Sequence, residues 1–283
     1  MRYCRFEQDG CTHYGEVGER NGELWIERVL APWPEDPWAR GASGAFAPMP
    51  LSGAKLLAPA VPSKIVCIGR NYREHAAELG NEVPKEPLLF LKAPSAVIAP
   101  GAPIQIPALS QRVDFEGELA IVIGKRATKI RADEDVRPYI RGYTIVNDVT
   151  ARDLQKSDGQ WSRAKGFDTF CPMGPLVTDR IDPEAGLTVS TRLNGEVKQE
   201  GTTRDLIFGV AALLRHITAA MTLLPGDVIP TGTPAGVAPM KPGDVVEVSV
   251  EGIGTLSNPV SAEAPATEGS GAASYRVGVF TGN

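Results

Sequence analysis

Histidine and cysteine are scarce in this 283-residue chain: three of the first (His13, His75, His216) and four of the second (Cys4, Cys11, Cys67, Cys171). The cysteines have no C-x-x-C spacing. Cys4, Cys11 and His13 fall close together but lack a fourth ligand, so a structural zinc site is not supported. Unpaired, reduced thiols are the expectation, and with it a cytoplasmic setting. No run of about 18 apolar residues is present, so no membrane-spanning helix is expected. Residues 1–6 lack the apolar core of a secretion signal. No Lys/Arg cluster interrupts a formal net charge of −5, which argues against a nucleic-acid partner. No G-x-G-x-x-G follows a strand, and there is no P-loop and no G-x-S-x-G elbow. Dinucleotide, nucleotide and serine-hydrolase chemistry therefore lack their usual signatures. A small anionic substrate is still compatible with this charge, because a bound cation can reverse the local field.

What the chain does have is a β-rich, turn-rich pattern. Apolar residues make up 42% and charged residues 22%, ordinary for a globular protein, with 30 Gly and 24 Pro supplying many turns. Residues 1–60 alternate short strand patterns with turns, such as Glu19-Arg20-Asn21-Gly22-Glu23, and then become proline-rich. They read as a small N-terminal β-subdomain. Residues 61–260 form the main, catalytic body, with strand patterns at 64–68, 119–123, 143–146, 187–193, 227–229 and 244–250. The clearest helical pattern is 203–223, where Leu206, Val210, Leu213, Leu214 and Ile217 recur at helical spacing. The expected class is α+β, β-rich, without a regular βαβ array. Residues 261–283 read as a flexible tail, within which Tyr275 to Phe280 is an apolar patch able to dock as an edge strand.

The chemistry begins at Val113-Asp114-Phe115-Glu116-Gly117-Glu118, continuing to Gly124. Residues 113–124 read as one strand, and its alternation puts Glu116, Glu118, Ala120 and Val122 on one face. Two carboxylates on an otherwise apolar face are costly to bury without a neutralising cation. A second strand ends at Asn147-Asp148. Three acids at strand positions, with no Cys or His beside them, describe an oxygen-ligand site for Mg²⁺ or Mn²⁺. Solvated acids on an exposed sheet face would show the same spacing.

Three further segments carry candidate groups. Gly69 to Leu79 reads as a short helix after a strand. His75 and Glu78, three apart, are neighbours on it, as a general base and its orienting carboxylate would be. Thr150-Ala151-Arg152-Asp153 has capping-box spacing and is expected to start a helix that carries Gln155. Lys165 stands among glycine and apolar residues, where it can oppose an enolate or carboxylate or can snorkel to water. The loop Thr231-Gly232-Thr233-Pro234-Ala235-Gly236-Val237 offers amides and hydroxyls to a substrate carboxylate. His216, inside the 203–223 pattern, reads as a packing residue.

Taken in order, these segments resemble the fumarylacetoacetate hydrolase superfamily. The resemblance spans about residues 62–260. It rests on Ile68-Gly69-Arg70-Asn71-Tyr72 with His75 and Glu78, Asp114-Phe115-Glu116-Gly117-Glu118, Asn147 to Gln155, Lys165 to Phe170, Leu193-Asn194-Gly195-Glu196, and Thr231 to Val237. It implies a rolled mixed β-structure of the family's C-terminal-domain type, usually a homodimer. It implies Mg²⁺ or Mn²⁺ on Glu116, Glu118 and Asp148, a His75–Glu78 dyad on a mobile lid, and Lys165 as a catalytic cation. Arg70, Asn71, Tyr72, Gln155 and Thr233 match positions expected to meet substrate. Val237-Ala238-Pro239 departs slightly from relatives that have glycine in the middle.

The expected activity follows from an electron sink. A cation chelating a small 2-oxo acid, aided by Lys165, stabilises the enolate left when a neighbouring bond breaks. Hydrolysis of an acylpyruvate-type β-diketo acid is the first expectation, with His75 activating water. Decarboxylation of an oxaloacetate-like acid, or isomerisation of a related 2-oxo dicarboxylate, uses the same sink. A catalytically idle binding member would be expected to lack the dyad or a metal ligand, and this chain has both.

Overall fold

The computed structural model describes residues 1–263 apart from 43, 79 and 81. The chain is α+β and strand-dominated, as its sequence pattern implies. One twelve-stranded sheet runs, in its main path, Met49–Pro50, Glu23–Val29, Cys11–Arg20, Arg2–Gln8, Cys171–Thr178, Ile140–Asn147, Gly117–Ile123, Val228–Pro230, Ile65–Gly69 and Leu88–Lys92. A five-stranded sheet, Glu196–Thr202, Thr188–Leu193, Val245–Val250, Gly254–Ala262 and Ile104–Ile106, packs against it. The two N-terminal hairpin strands meet at Asn21-Gly22, both left-handed (φ 50° and 83°), as a two-residue hairpin turn requires. Those strands continue the main sheet, because Arg2–Gln8 pairs antiparallel with Cys171–Thr178.

The Gly117–Ile123 strand is buried along its whole length because both its faces are covered. Leu119, Ile121 and Ile123 pack with Leu213, Leu214 and Ile217 of the Val210–Ala220 helix. Ala120 and Val122 pack on the opposite side with Val146, Phe170 and Cys171. By the two-residue period, Glu118 shares the Ala120–Val122 side.

Several expected boundaries shift, each for a visible reason. The 113–124 segment is not one strand. Val113–Asp114 pairs with Thr150–Ala151, and a new strand starts at Gly117. At the break the Asn147 side-chain oxygen takes the Glu116 amide at 2.9 Å, while the Glu116 carbonyl accepts from the Asp148 amide at 2.8 Å. The helix expected over 203–223 is confined to Val210–Ala220. The preceding residues are used otherwise: the amides of Ile207 and Phe208 bond the Asn71 carbonyl and side-chain oxygen, both at 2.8 Å. Thr150 does not cap a helix. The helix begins at Arg152, and the Thr150 hydroxyl bonds the Asp148 carbonyl instead. Ser261 and Ala262, expected in the tail, end the Gly254–Ala262 strand. The rest of the expected tail, with its Tyr275 to Phe280 patch, lies outside the described residues.

No helix among the described residues is long and apolar enough to cross a membrane. Cys4, Cys67 and Cys171 are buried free thiols and Cys11 is an exposed one. Burial pushes the Cys4 and Cys171 thiols up to about 12. Cys11 alone is therefore expected to react promptly with a thiol reagent in the native protein, and all four after denaturation without reductant. Two or fewer titratable thiols in the denatured protein would show that disulfides form.

Candidate active site

Sheet order brings the three carboxylates together. Gly117 pairs with Asn147, so the start of one central strand lies beside the end of its neighbour. Glu116 precedes the first strand, Glu118 lies within it, and Asp148 follows the second. All three are buried, and one carboxylate oxygen of each lies within 4.8 Å of the others. Among the described residues this is the one compact group of possible metal ligands, and Cys4, Cys11 and His13 form none.

Cations surround two of the three acids. Lys165, from the short Ser162–Gly166 helix, donates to Glu116 Oε2 at 2.8 Å and to Asp148 Oδ2 at 2.6 Å. Lys92 Nζ lies 2.7 Å from Asp148 Oδ1. Arg152 joins Glu116 to Asp114, the latter at 2.9 Å. Glu118 has no cationic partner among the described residues; it accepts the Gly232 amide at 2.7 Å. Gly232 has a φ of 105°, and a Cβ there would meet that of Asn71 at 2.7 Å, so this close amide approach depends on glycine.

The electrostatics follow from these contacts. Burial would raise Glu116, but Lys165 and Arg152 outweigh it and hold that carboxyl far below its ordinary range. Burial, then the charges of Asp148 and Glu116, push Glu118 well above its ordinary range. For Lys165 the attraction of Asp148 and Glu116 outweighs burial and keeps the ammonium charged. A buried carboxylate without a cation, set beside two others, is the environment that a divalent cation relieves, and an all-oxygen donor set suits a hard one. The residues present fit such an ion.

The second group is the His75–Glu78 pair on the Arg73–Glu78 helix. His75 Nδ1 lies 3.2 Å from Glu78 Oε2, and Glu78 Oε1 accepts the Gly236 amide at 3.0 Å. Glu78 thus ties this short helix to the loop after the Val228–Pro230 strand. Deeper in that loop the Thr233 hydroxyl donates to the Gly117 carbonyl at 2.9 Å and accepts from Gln199 Nε2 at 2.8 Å. The Gln199 oxygen accepts the Gly117 amide at 3.0 Å, so one buried carboxamide locks the loop to the strand that carries Glu118.

These groups wall one cavity of about 420 Å³: the three carboxylates, Lys165, His75 and Glu78, joined by Arg70, Gln155 and Thr233. Asn71 and Tyr72, expected to meet substrate, do not line it. Asn71 is fully buried and bonds the carbonyls of Phe208 and Thr231 at 3.0 and 2.8 Å, bracing the loop. Tyr72 is buried in a backbone bridge to Leu206. Arg152, Lys92, Phe90 and Trp161 also belong to the site, although Arg152 stands out in the sequence only as a charge at a helix start. Lys92 gave one faint signal, a lysine closing the apolar run Leu88-Leu89-Phe90-Leu91.

A β-rich fold with a buried oxygen-donor cluster, a charged lysine and a His–Glu pair in one small cavity defines an enzyme-type site for small anionic molecules. The chain belongs to the fumarylacetoacetate hydrolase family: the "Fumarylacetoacetate (FAA) hydrolase C-terminal" model matches residues 64–261, and "Rv2993c-like, N-terminal" matches 1–59. Protein Rv2993c of Mycobacterium tuberculosis is 54% identical over 75% of this chain and 80% of its own length. Oxaloacetate tautomerase YisK of Bacillus subtilis is 43% identical over 82% of this chain and 81% of its own. The crystal structure of 2-hydroxyhepta-2,4-diene-1,7-dioate isomerase from Mycobacterium marinum is 44% identical, covers 93% of this chain and 99% of that one, and superposes with a TM-score of 0.81.

Proposed function

We propose that the chain is a Mg²⁺- or Mn²⁺-dependent isomerase that interconverts the enol and keto forms of a small, oxaloacetate-like 2-oxo acid. The observation that carries this reading is the Lys165 ammonium, hydrogen-bonded to two of the three clustered carboxylates in a cavity that also holds His75. The names of two relatives, a tautomerase and an isomerase, point the same way.

A cation held by Glu116, Glu118 and Asp148 would supply Lewis acidity toward the carboxylate and 2-oxo oxygens of such an acid. The chain's own groups supply the rest. Lys165 places a fixed positive charge where enolate charge develops, without reorganising at the moment of reaction. Glu78 accepts from His75 Nδ1–H in the neutral tautomer, which leaves Nε2 free to take or give a proton. In the enol-to-keto direction the enol O–H proton is lost, its electron pair forms the C=O bond, and the C=C pair takes a proton at C3.

This reading predicts that the enzyme with Mg²⁺ consumes enol-oxaloacetate faster than buffer with Mg²⁺ alone. Chelation should return the rate to that of buffer, and restored Mg²⁺ should recover it. No acceleration with either cation would overturn the proposal. A second reading, hydrolysis of a β-diketo 2-oxo acid, is favoured by the His75–Glu78 geometry, which suits activation of a water. It uses the same electron sink, as does decarboxylation.

A further inference from the structure

Arg70 and Trp161 form a part of the cavity wall that the chemistry above does not use. Arg70 follows the Ile65–Gly69 strand with a φ of 56°, a left-handed conformation that residues other than glycine seldom adopt. Its guanidinium carbon lies 5.9 Å from the centre of the Trp161 ring. The preceding glycine admits that ring: a Cβ on Gly69 would come within 2.9 Å of Trp161 Cζ3. Phe90, 5.2 Å away edge-on, supports the indole from another side. Backbone conformation and aromatic packing therefore set this guanidinium beside the indole.

The charge is also free. Arg152 and Lys165, the buried cations of the cavity, are committed to Asp114, Glu116 and Asp148. Arg70 makes no ion pair among the described residues. Lys156 lines the cavity too, but it is exposed. Lys165 Nζ lies 6.0 Å from the same indole, and Arg70 lines the same cavity as Glu116, Glu118 and Asp148. A planar, half-buried guanidinium at cation–π distance from an indole can offer its fork to a bidentate carboxylate.

We infer that Arg70, held by Trp161, receives a second, distal carboxylate, so that the cavity selects 2-oxo dicarboxylates over 2-oxo monocarboxylates of equal length. This rests on the reading that the 2-oxo acid head sits at Glu116, Glu118 and Asp148. Entropy lost in binding is already reduced at Arg70, so the selectivity should be large for one contact.

The test is equilibrium binding to the Mg²⁺-loaded protein, with 2-oxoglutarate and 2-oxopentanoate as a matched pair. The wild type should prefer 2-oxoglutarate by about tenfold or more, the worth of one good charged hydrogen-bonded pair. Arg70→Met should remove the preference and leave 2-oxopentanoate affinity unchanged. Arg70→Lys should keep only part of it, since a point charge lacks the planar fork. A melting curve for each variant confirms folding, and Trp161→Phe offers a milder change that should narrow the preference. Equal affinities in the wild type, an intact preference in Arg70→Met, or equal loss of both ligands would each overturn the assignment. Because binding is read without turnover, selectivity without enol–keto activity would sink the proposed reaction and leave this inference standing.

Discussion

Glu118→Gln is expected to abolish Mg²⁺ binding and to lower metal-dependent turnover on the order of 10³-fold or more. The reason lies in how charge is distributed over the three acids. Glu116 is balanced by Arg152 and Lys165, and Asp148 by Lys92 and Lys165. Among the described residues Glu118 has an amide hydrogen bond and no ion pair, so it is the member whose charge most requires an added cation. The amide of Gln matches its shape and retains an oxygen for the Gly232 amide, so the fold should survive. The check is a paired melting experiment. A hundredfold excess of Mg²⁺ over its dissociation constant should raise the wild-type midpoint by roughly 5–10 °C. The variant midpoint should not move with Mg²⁺. A variant that keeps the full Mg²⁺ shift, or wild-type activity that survives exhaustive chelation, would remove the metal from the account.

The same carboxylates show what a sequence can disclose. Glu116 and Glu118 stand out because two acids interrupt an apolar run at alternate positions, and Asp148 because it ends another run. Their convergence depends on the register that sets Gly117 opposite Asn147, which no local pattern encodes. The cations around them were harder to see. Lys92 lies on the far strand of the sheet path and reaches Asp148 only through the fold. Arg152 was visible as a charge at a helix start, but its partners Asp114 and Glu116 come from the preceding sheet segments. Trp161 has no periodic signature; what marks it is Gly69, a residue from another element that makes room for it. Local chemistry fixed the Asn21-Gly22 hairpin, whereas the pairing of Arg2–Gln8 with Cys171–Thr178 joins segments far apart in the chain. The helix pattern over 203–223 overran because apolar spacing does not reveal that the amides of Ile207 and Phe208 are claimed by Asn71.

His75→Ala is expected to separate the reactions that share this electron sink. Enol–keto interconversion and acylpyruvate cleavage both need a group that moves a proton, at C3 in the first and on water in the second. Losing it should slow either by on the order of 10²-fold, about 2.7 kcal/mol of barrier. Decarboxylation of oxaloacetate needs the sink but no such base, so any decarboxylase rate should stay near wild type while Lys165 and the acids remain. The readout is therefore a ratio of two rates in one variant, which a general loss of folded protein cannot change. Glu78→Gln should do less harm. It removes the carboxylate, yet its amide oxygen can still accept from either Gly236 or Nδ1–H. If His75→Ala lowers proton transfer and decarboxylation alike, the pair orders the cavity edge through the Glu78–Gly236 contact and does not itself carry the proton. If proton transfer survives at the wild-type rate, the base must be sought elsewhere on the cavity wall.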